Sequence, residues 1–179
     1  MLTPIITHDD RRQLNSMLQS ARALGVERRE NLHAMEAHLE RARWEHSSEV
    51  PPDLVTMNSI VELVDADSGE IAVYAIVYPD CAHGASDRIS VLSALGRAVL
   101  GSRVGDVLEV QAPSGWRRVR VNDVLYQPER PGEHQLHLAR FEDDGGCTGR
   151  YPVDTPAPPA GFFIPMRAAD QPGNDLPID

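Results

Sequence analysis

The 179-residue chain is long enough for one well-buried core, and its segmentation fits two small units sharing a linker better. Its 17 basic residues are all arginine, which excludes a Schiff-base lysine and any phosphate-binding loop that requires one. A net charge of −10 argues against tight autonomous binding to nucleic acid, whose affinity rests on neutralising phosphates, and no apolar run approaches the ~20 residues needed to span a bilayer.

Residues 1–10 show neither a basic flank nor a long apolar stretch, so the chain is expected to be soluble and cytoplasmic, with no membrane partner. The first helix is expected to begin at Thr7 as N-cap, with Asp10 three residues on, where its carboxylate can reach back to a free backbone donor. Leu14, Met17, Leu18, Ala21 and Leu24 then fall at spacings of three and four, and Gly25 follows where a helix end favours a left-handed residue. A second stripe of Leu32, Met35, Leu39 and Ala42 runs until Ser47, Ser48 and the Pro51-Pro52 pair forbid continuation. Two helices joined by a tight turn predict a short antiparallel hairpin. At ~1.5 Å per residue the first helix spans roughly 24 Å, and the second is expected to be a little longer.

Beyond Pro52 short β-branched runs alternate with turn signals, the pattern of strands. Strands are expected over 55–64, 71–78, 88–92, 107–112 and 116–126. Asp-Ala-Asp-Ser-Gly at 65–69 and Pro-Ser-Gly at 113–115 join the outer pairs as hairpins, which predicts antiparallel pairing. The strand over 71–78 is apolar on both faces and should be central and covered on both sides. One short helix is expected over 94–100, with Leu95 and Val99 on one face. Cys81 and Cys147 lie among turn-forming residues, and reduced thiols are expected rather than a disulfide framework. From Pro128 onward the chain is rich in proline and acidic, yet Phe141, Tyr151, Phe162, Phe163 and Ile164 are too apolar for a pure linker.

The run I-S-V-L-S-A-L-G-R-A-V-L-G-S-R-V-G-D at 89–106 resembles the signature of the C-terminal domain of bacterial Gre transcript-cleavage factors, with glycines at Gly96, Gly101 and Gly105. Upstream, V-P-P-D-L-V-T-M-N-S at 50–59 looks like the linker and first strand of the Rnk branch of that superfamily, whose members are named for regulating nucleoside diphosphate kinase. The resemblance covers about residues 50–129. It implies an FKBP-like antiparallel β domain with one short helix over 50–130, and with the elements read above the expected fold is α+β: a short N-terminal antiparallel helical hairpin, or coiled coil, over 1–49, that β domain, and a Pro-rich acidic C-terminal extension over 131–179. It further implies docking on the rim of the secondary channel of RNA polymerase, with the hairpin pointing into the channel and nucleic acid met only through the polymerase. The docking loop of Gre factors carries Ser-Pro or Asp-Ser-Pro before the short helix. That loop maps here onto Leu92, Ser93 and Ala94, without the proline, and Leu95, Arg97 and Arg103 complete the implied docking set.

Gre hairpin tips also carry an acidic pair that shares Mg²⁺ with the polymerase, since the metal takes oxygen ligands and acidifies a bound water. Glu27 and Glu30 have that spacing here. Arg28 and Arg29 stand between them, however, and the hairpin is shorter than the Gre coiled coil, so ordinary solvated tip charges are the expectation. The reading is therefore a non-catalytic polymerase-binding regulator with no cofactor and no metal. Transcript cleavage through Glu27 and Glu30, and prolyl isomerisation on an FKBP-like fold, are the alternatives. The latter needs an aromatic-lined pocket, and aromatics are 5% of the chain. His8, His33, His38 and His46 lack metal-ligand spacing and are expected to be exposed helix histidines. Arg117, Arg118 and Arg120 are expected to form a solvated sheet edge.

Overall fold

The computed structural model describes residues 3–82, 87–112 and 115–130. The chain opens with strand β1 (Ile5–Thr7) and helix α1 (His8–Leu24). The Thr7 hydroxyl accepts the Asp10 N–H at 3.0 Å, and Gly25 ends the helix at φ 65°, a conformation only glycine adopts without strain. The reciprocal half of the expected capping box does not form. The Asp10 carboxylate instead accepts the N–H of Met57, 3.2 Å away across the fold.

Helix α2 (Arg29–Arg41) returns the chain and gives way to strand β2 (Arg43–Glu45) and a single 3₁₀ turn (Ser47–Glu49). At 13 residues α2 is shorter than the 17-residue α1, because β2 takes over its expected last turn. The hairpin closes at its base. His8 and His46 rings lie 4.9 Å apart, the Ser47 hydroxyl donates to Asp9 at 2.9 Å, and β1 and β2 pair in parallel from Ile5 and Arg43 to Thr7 and Glu45. The guanidinium of Arg11 lies 3.5 Å over the ring of Trp44, adding a cation–π contact at the same end.

The second layer is a five-stranded sheet in the order β5-β4-β3-β7-β6. Its strands are β3 (Ile60–Asp65), β4 (Ile71–Val77), β5 (Arg88–Ser90), β6 (Val107–Ala112) and β7 (Gly115–Tyr126). The turn between β3 and β4 forms as its residues dictate: Asp65 Oδ1 accepts the N–H groups of Asp67 and Ser68, and Gly69 takes φ 76°. Three features differ from expectation. Strand β5 pairs parallel with β4, because the connection through the four-residue helix α3 (Pro79–Ala82) crosses back rather than turning as a hairpin. The central strand is β3, and β7 lies inside the sheet between β3 and β6, so Arg117, Arg118 and Arg120 do not mark an edge. Strand β4 is covered on both faces only in its second half. Tyr74 and Ile76 enter the main core, Ala75 and Val77 pack in a smaller cluster with Ile60 and Tyr126, and Ile71 at its start is exposed.

Helix α4 (Ala94–Val99) packs against the sheet through Leu95 and Val99. Its closeness explains Gly96: a Cβ there would stand 2.2 Å from the Ser90 carbonyl oxygen. Gly101 follows at φ 80°, with its backbone against Ile5 of β1. The main core joins Leu14, Leu18, Met35 and Leu39 of the hairpin to Val61, Leu63, Ile76 and Leu92 of the sheet unit. Cys81 is held in a disulfide, against the expectation of reduced thiols, and Cys147 lies outside the described residues. So do His83, His134, His137, the residues 113–114 of the expected turn and the 131–179 extension.

Candidate functional site

Two surfaces carry the residues singled out by sequence, and they lie at different ends of the hairpin. At the tip, Arg28, Arg29 and Glu30 are exposed and Glu27 is half-buried. Leu24 and Val26, 74% and 63% exposed, leave the same turn strongly apolar. Arg28 occupies the N-cap of α2 with no side-chain cap. Among the described residues no group of three or more His, Cys, Asp and Glu side chains could hold a metal ion.

The second surface surrounds the start of α4. Ser93 caps this helix, its hydroxyl accepting the Gly96 N–H at 3.0 Å. Ala94 and Arg97 are half-buried beside it, and Arg97 donates to the Leu92 carbonyl at 3.1 Å, bracing the loop. Leu92 and Leu95 are core residues, 1% and 4% exposed, so the face available to a partner narrows to Ser93, Ala94 and the outer part of Arg97. Arg103 stands on the exposed turn after the helix, where its N–H is held by Asp106 and its guanidinium faces Asp53 at 3.5 Å.

Backbone and side-chain hydrogen bonds tie the hairpin to the unit that carries this loop. Ile5 donates to Gly101 at 3.0 Å, His38 Nε2 meets the Leu100 carbonyl at 3.1 Å, and Met57 donates to Asp10. His38 departs from the other helix histidines in being buried. Burial, followed by the charges of Arg41 and Arg97, outweighs its bond to Leu100 and lowers its pKa to about 4, so the ring is neutral and donates to Leu100. Asp10 is buried as well. Burial first, then the charge of Glu129, raises its pKa to about 7 against the bonds from Met57 and Thr7. Sequence reading missed both roles. Their one signal was a polar residue beside the apolar stripe of each helix, which does not distinguish a joint from a solvated flank.

The arginines of β7 are engaged locally. Arg117 faces Asp65 at 3.6 Å, Arg118 bonds Asp67 at 2.6 Å and Arg120 bonds Asn122 at 3.3 Å. Trp116 stands beside them, 70% exposed.

Residues 50–126 match the family model described as transcription elongation factor, GreA/GreB, C-term. The chain is 38% identical over 104 residues to the regulator of nucleoside diphosphate kinase of Escherichia coli strain K12, covering 58% of this chain and 76% of that protein. It is 41% identical over 76 residues to transcription elongation factor GreA of Methylococcus capsulatus, covering 42% and 48%. Among solved structures, the prokaryotic transcription elongation factor GreA/GreB from Nitrosomonas europaea superposes with a TM-score of 0.57 at 32% identity, over 69% of this chain and 99% of that one. The matched span contains α4 with Gly96, the glycines Gly101 and Gly105 that follow it, and the strands of the sheet, and the chain accordingly belongs to the GreA/GreB family of transcription elongation factors.

Proposed function

We propose that this chain is a transcription regulator that binds RNA polymerase at the rim of its secondary channel, through an FKBP-like β domain, and does not cleave transcripts. Binding is its activity, and by occupying the rim it competes with Gre factors for the same site in the cytoplasm. The observation that carries this reading is the hairpin's reach. Helices of 17 and 13 residues extend about 26 and 20 Å, short of the Gre coiled coil, so the tip stops before the polymerase active centre. The tip chemistry agrees, since two exposed arginines between the carboxylates disfavour a shared divalent cation. The contact face proposed is Ser93, Ala94, Arg97 and Arg103, with Leu92 and Leu95 supporting it from the core.

Co-purification with core RNA polymerase tests the reading. Ala94→Asp places a carboxylate in the first turn of α4, where the helix dipole accepts it, and Arg103→Glu exchanges an exposed ion pair with Asp53 for a solvent-screened repulsion. The double variant should stay folded and lose at least about tenfold in affinity, the weight of a single central contact. Undiminished binding would remove the docking face. Stalled elongation complexes supplied with Mg²⁺ should keep transcripts of unchanged length, and shortened transcripts would return the function to Glu27 and Glu30.

A further inference from the structure

The joint between hairpin and sheet holds two carboxylates that the proposed docking role leaves unused. Asp10, on the first turn of α1, accepts the Met57 N–H at 3.2 Å. One residue earlier on the same loop, the Thr56 hydroxyl donates to Glu129 Oε2 at 2.7 Å and meets Ser59 Oγ at 3.0 Å. Two acidic side chains from opposite ends of the fold are thus fastened to adjacent residues of one buried loop. The charges acting on Asp10, from Glu129 beyond β7 and from Asp9 on its own helix, are both negative. Tyr78, after β4, also faces Asp10. Burial and then the Asp10 charge hold its hydroxyl above the ordinary range, so it stays neutral and donates to Gln13 at 2.9 Å. Asn58, next along the loop, takes φ 62°, a left-handed conformation that asparagine tolerates better than most side-chain-bearing residues.

We propose that Asp10 and Glu129 form a proton-operated latch between the hairpin and the sheet. With Asp10 protonated, the start of α1 stays seated on the Thr56–Met57 loop. When the proton leaves, the buried Asp10 carboxylate takes on a charge on which the negative charge of Glu129, fastened one residue away on the loop, already acts, and the seam opens at the loop. The physical basis is that like charges in a desolvated site cannot both ionise without separating. Burial already brings Asp10 to about 7, so the change falls within the range of cellular pH. In the polymerase reading this latch sets the pose of the hairpin against the docking face. The test uses the free full-length chain, so latch and polymerase reading stand or fall separately.

The measurement is an NMR titration of the Asp10 carboxyl carbon alongside hydrogen exchange at the Met57 amide, corrected for its intrinsic base-catalysed rate. In the wild type, Asp10 should titrate near neutrality and Met57 protection should fall by about tenfold across the same midpoint. Asp10→Asn keeps an acceptor for Met57 without the charge, and its protection should stay high and independent of pH. Glu129→Gln should move the Asp10 midpoint down and blunt the loss of protection, and it serves even if the first variant folds poorly. An Asp10 midpoint in the ordinary carboxylate range would overturn the latch. So would Met57 protection that ignores Asp10 ionisation, or a pH response that survives in folded Asp10→Asn.

Discussion

His38 and Asp10 are buried in the same joint and pull the stability curve in opposite directions. His38 has its folded pKa lowered to about 4 from 6.5. Its contribution is complete above the unfolded value and is lost as pH falls from there towards 4. Asp10 has its folded pKa raised to about 7 from 3.8, so its contribution is complete below the unfolded value and is lost as pH rises through the folded one. Between about pH 4 and 6.5 the two slopes oppose each other at up to about 1.4 kcal/mol per pH unit each. Urea midpoints of the wild type should therefore vary little across that window. In Asp10→Asn they should fall steadily on acidification, equivalent to a few kcal/mol of unfolding free energy in total, as the histidine slope is uncovered. A wild-type curve as steep as that of the variant would show that one of the two shifts is absent. Neither residue's burial could be read from the chain. Thr7 and Asp10 have the spacing of a capping box, and only the Met57 amide arriving from the sheet unit decides that the carboxylate turns away from its own helix.

At the scale of elements, the glycines that carried the resemblance prove to be packing residues. Gly96 lets α4 lie on the β5 backbone, and Gly101 lets β1 pass close to the turn that follows α4. Gly96→Ala drives a methyl group into a backbone carbonyl, which cannot rotate away as a side chain could. It should destabilise by about 3 kcal/mol or more, visible as a lowered melting temperature. Gly105→Ala meets no atom within 4 Å but must hold φ 92°, and should cost about 1–2 kcal/mol through backbone strain alone. A larger effect at Gly105 than at Gly96 would contradict the packing account. Helices α1 and α2, strands β3, β4, β6 and β7 and helix α4 were legible because each has an apolar period longer than a turn and a cap or turn signal at its ends. Strand β5 lies within the run expected at 88–92, whereas the three-residue strands β1 and β2 carry too few residues to show a period. The parallel partners of all three are set by where α1, α2 and α3 deliver the chain.

At the scale of the molecule, the helices and the sheet share one core across the expected boundary near residue 50. Leu14 and Met35 are fully buried beside sheet residues, and hydrogen bonds of Ile5, Asp10, Gln13 and His38 cross the joint. Unfolding should be a single transition, with far-UV circular dichroism and the fluorescence of Trp44 and Trp116 giving coincident midpoints. Two separated transitions would mean that the hairpin melts independently of the sheet. The same continuity bears on the docking loop. Leu92 and Leu95 are tied into this core, so charged residues placed there would unfold the chain rather than report on a contact surface.

By itself the sequence determined the order of helices and long strands, the family through the run at 89–106, and the short reach of the hairpin. These depend on local periodicity, caps and spacing, which are properties of neighbouring residues. The tertiary structure alone decided which residues of that run face outward, that β7 is interior, and that His38 and Asp10 are buried at a joint. Those facts depend on contacts between segments far apart in the chain, such as Asp10 with Met57 and His38 with Leu100. No local pattern records which distant backbone group will arrive to meet a side chain.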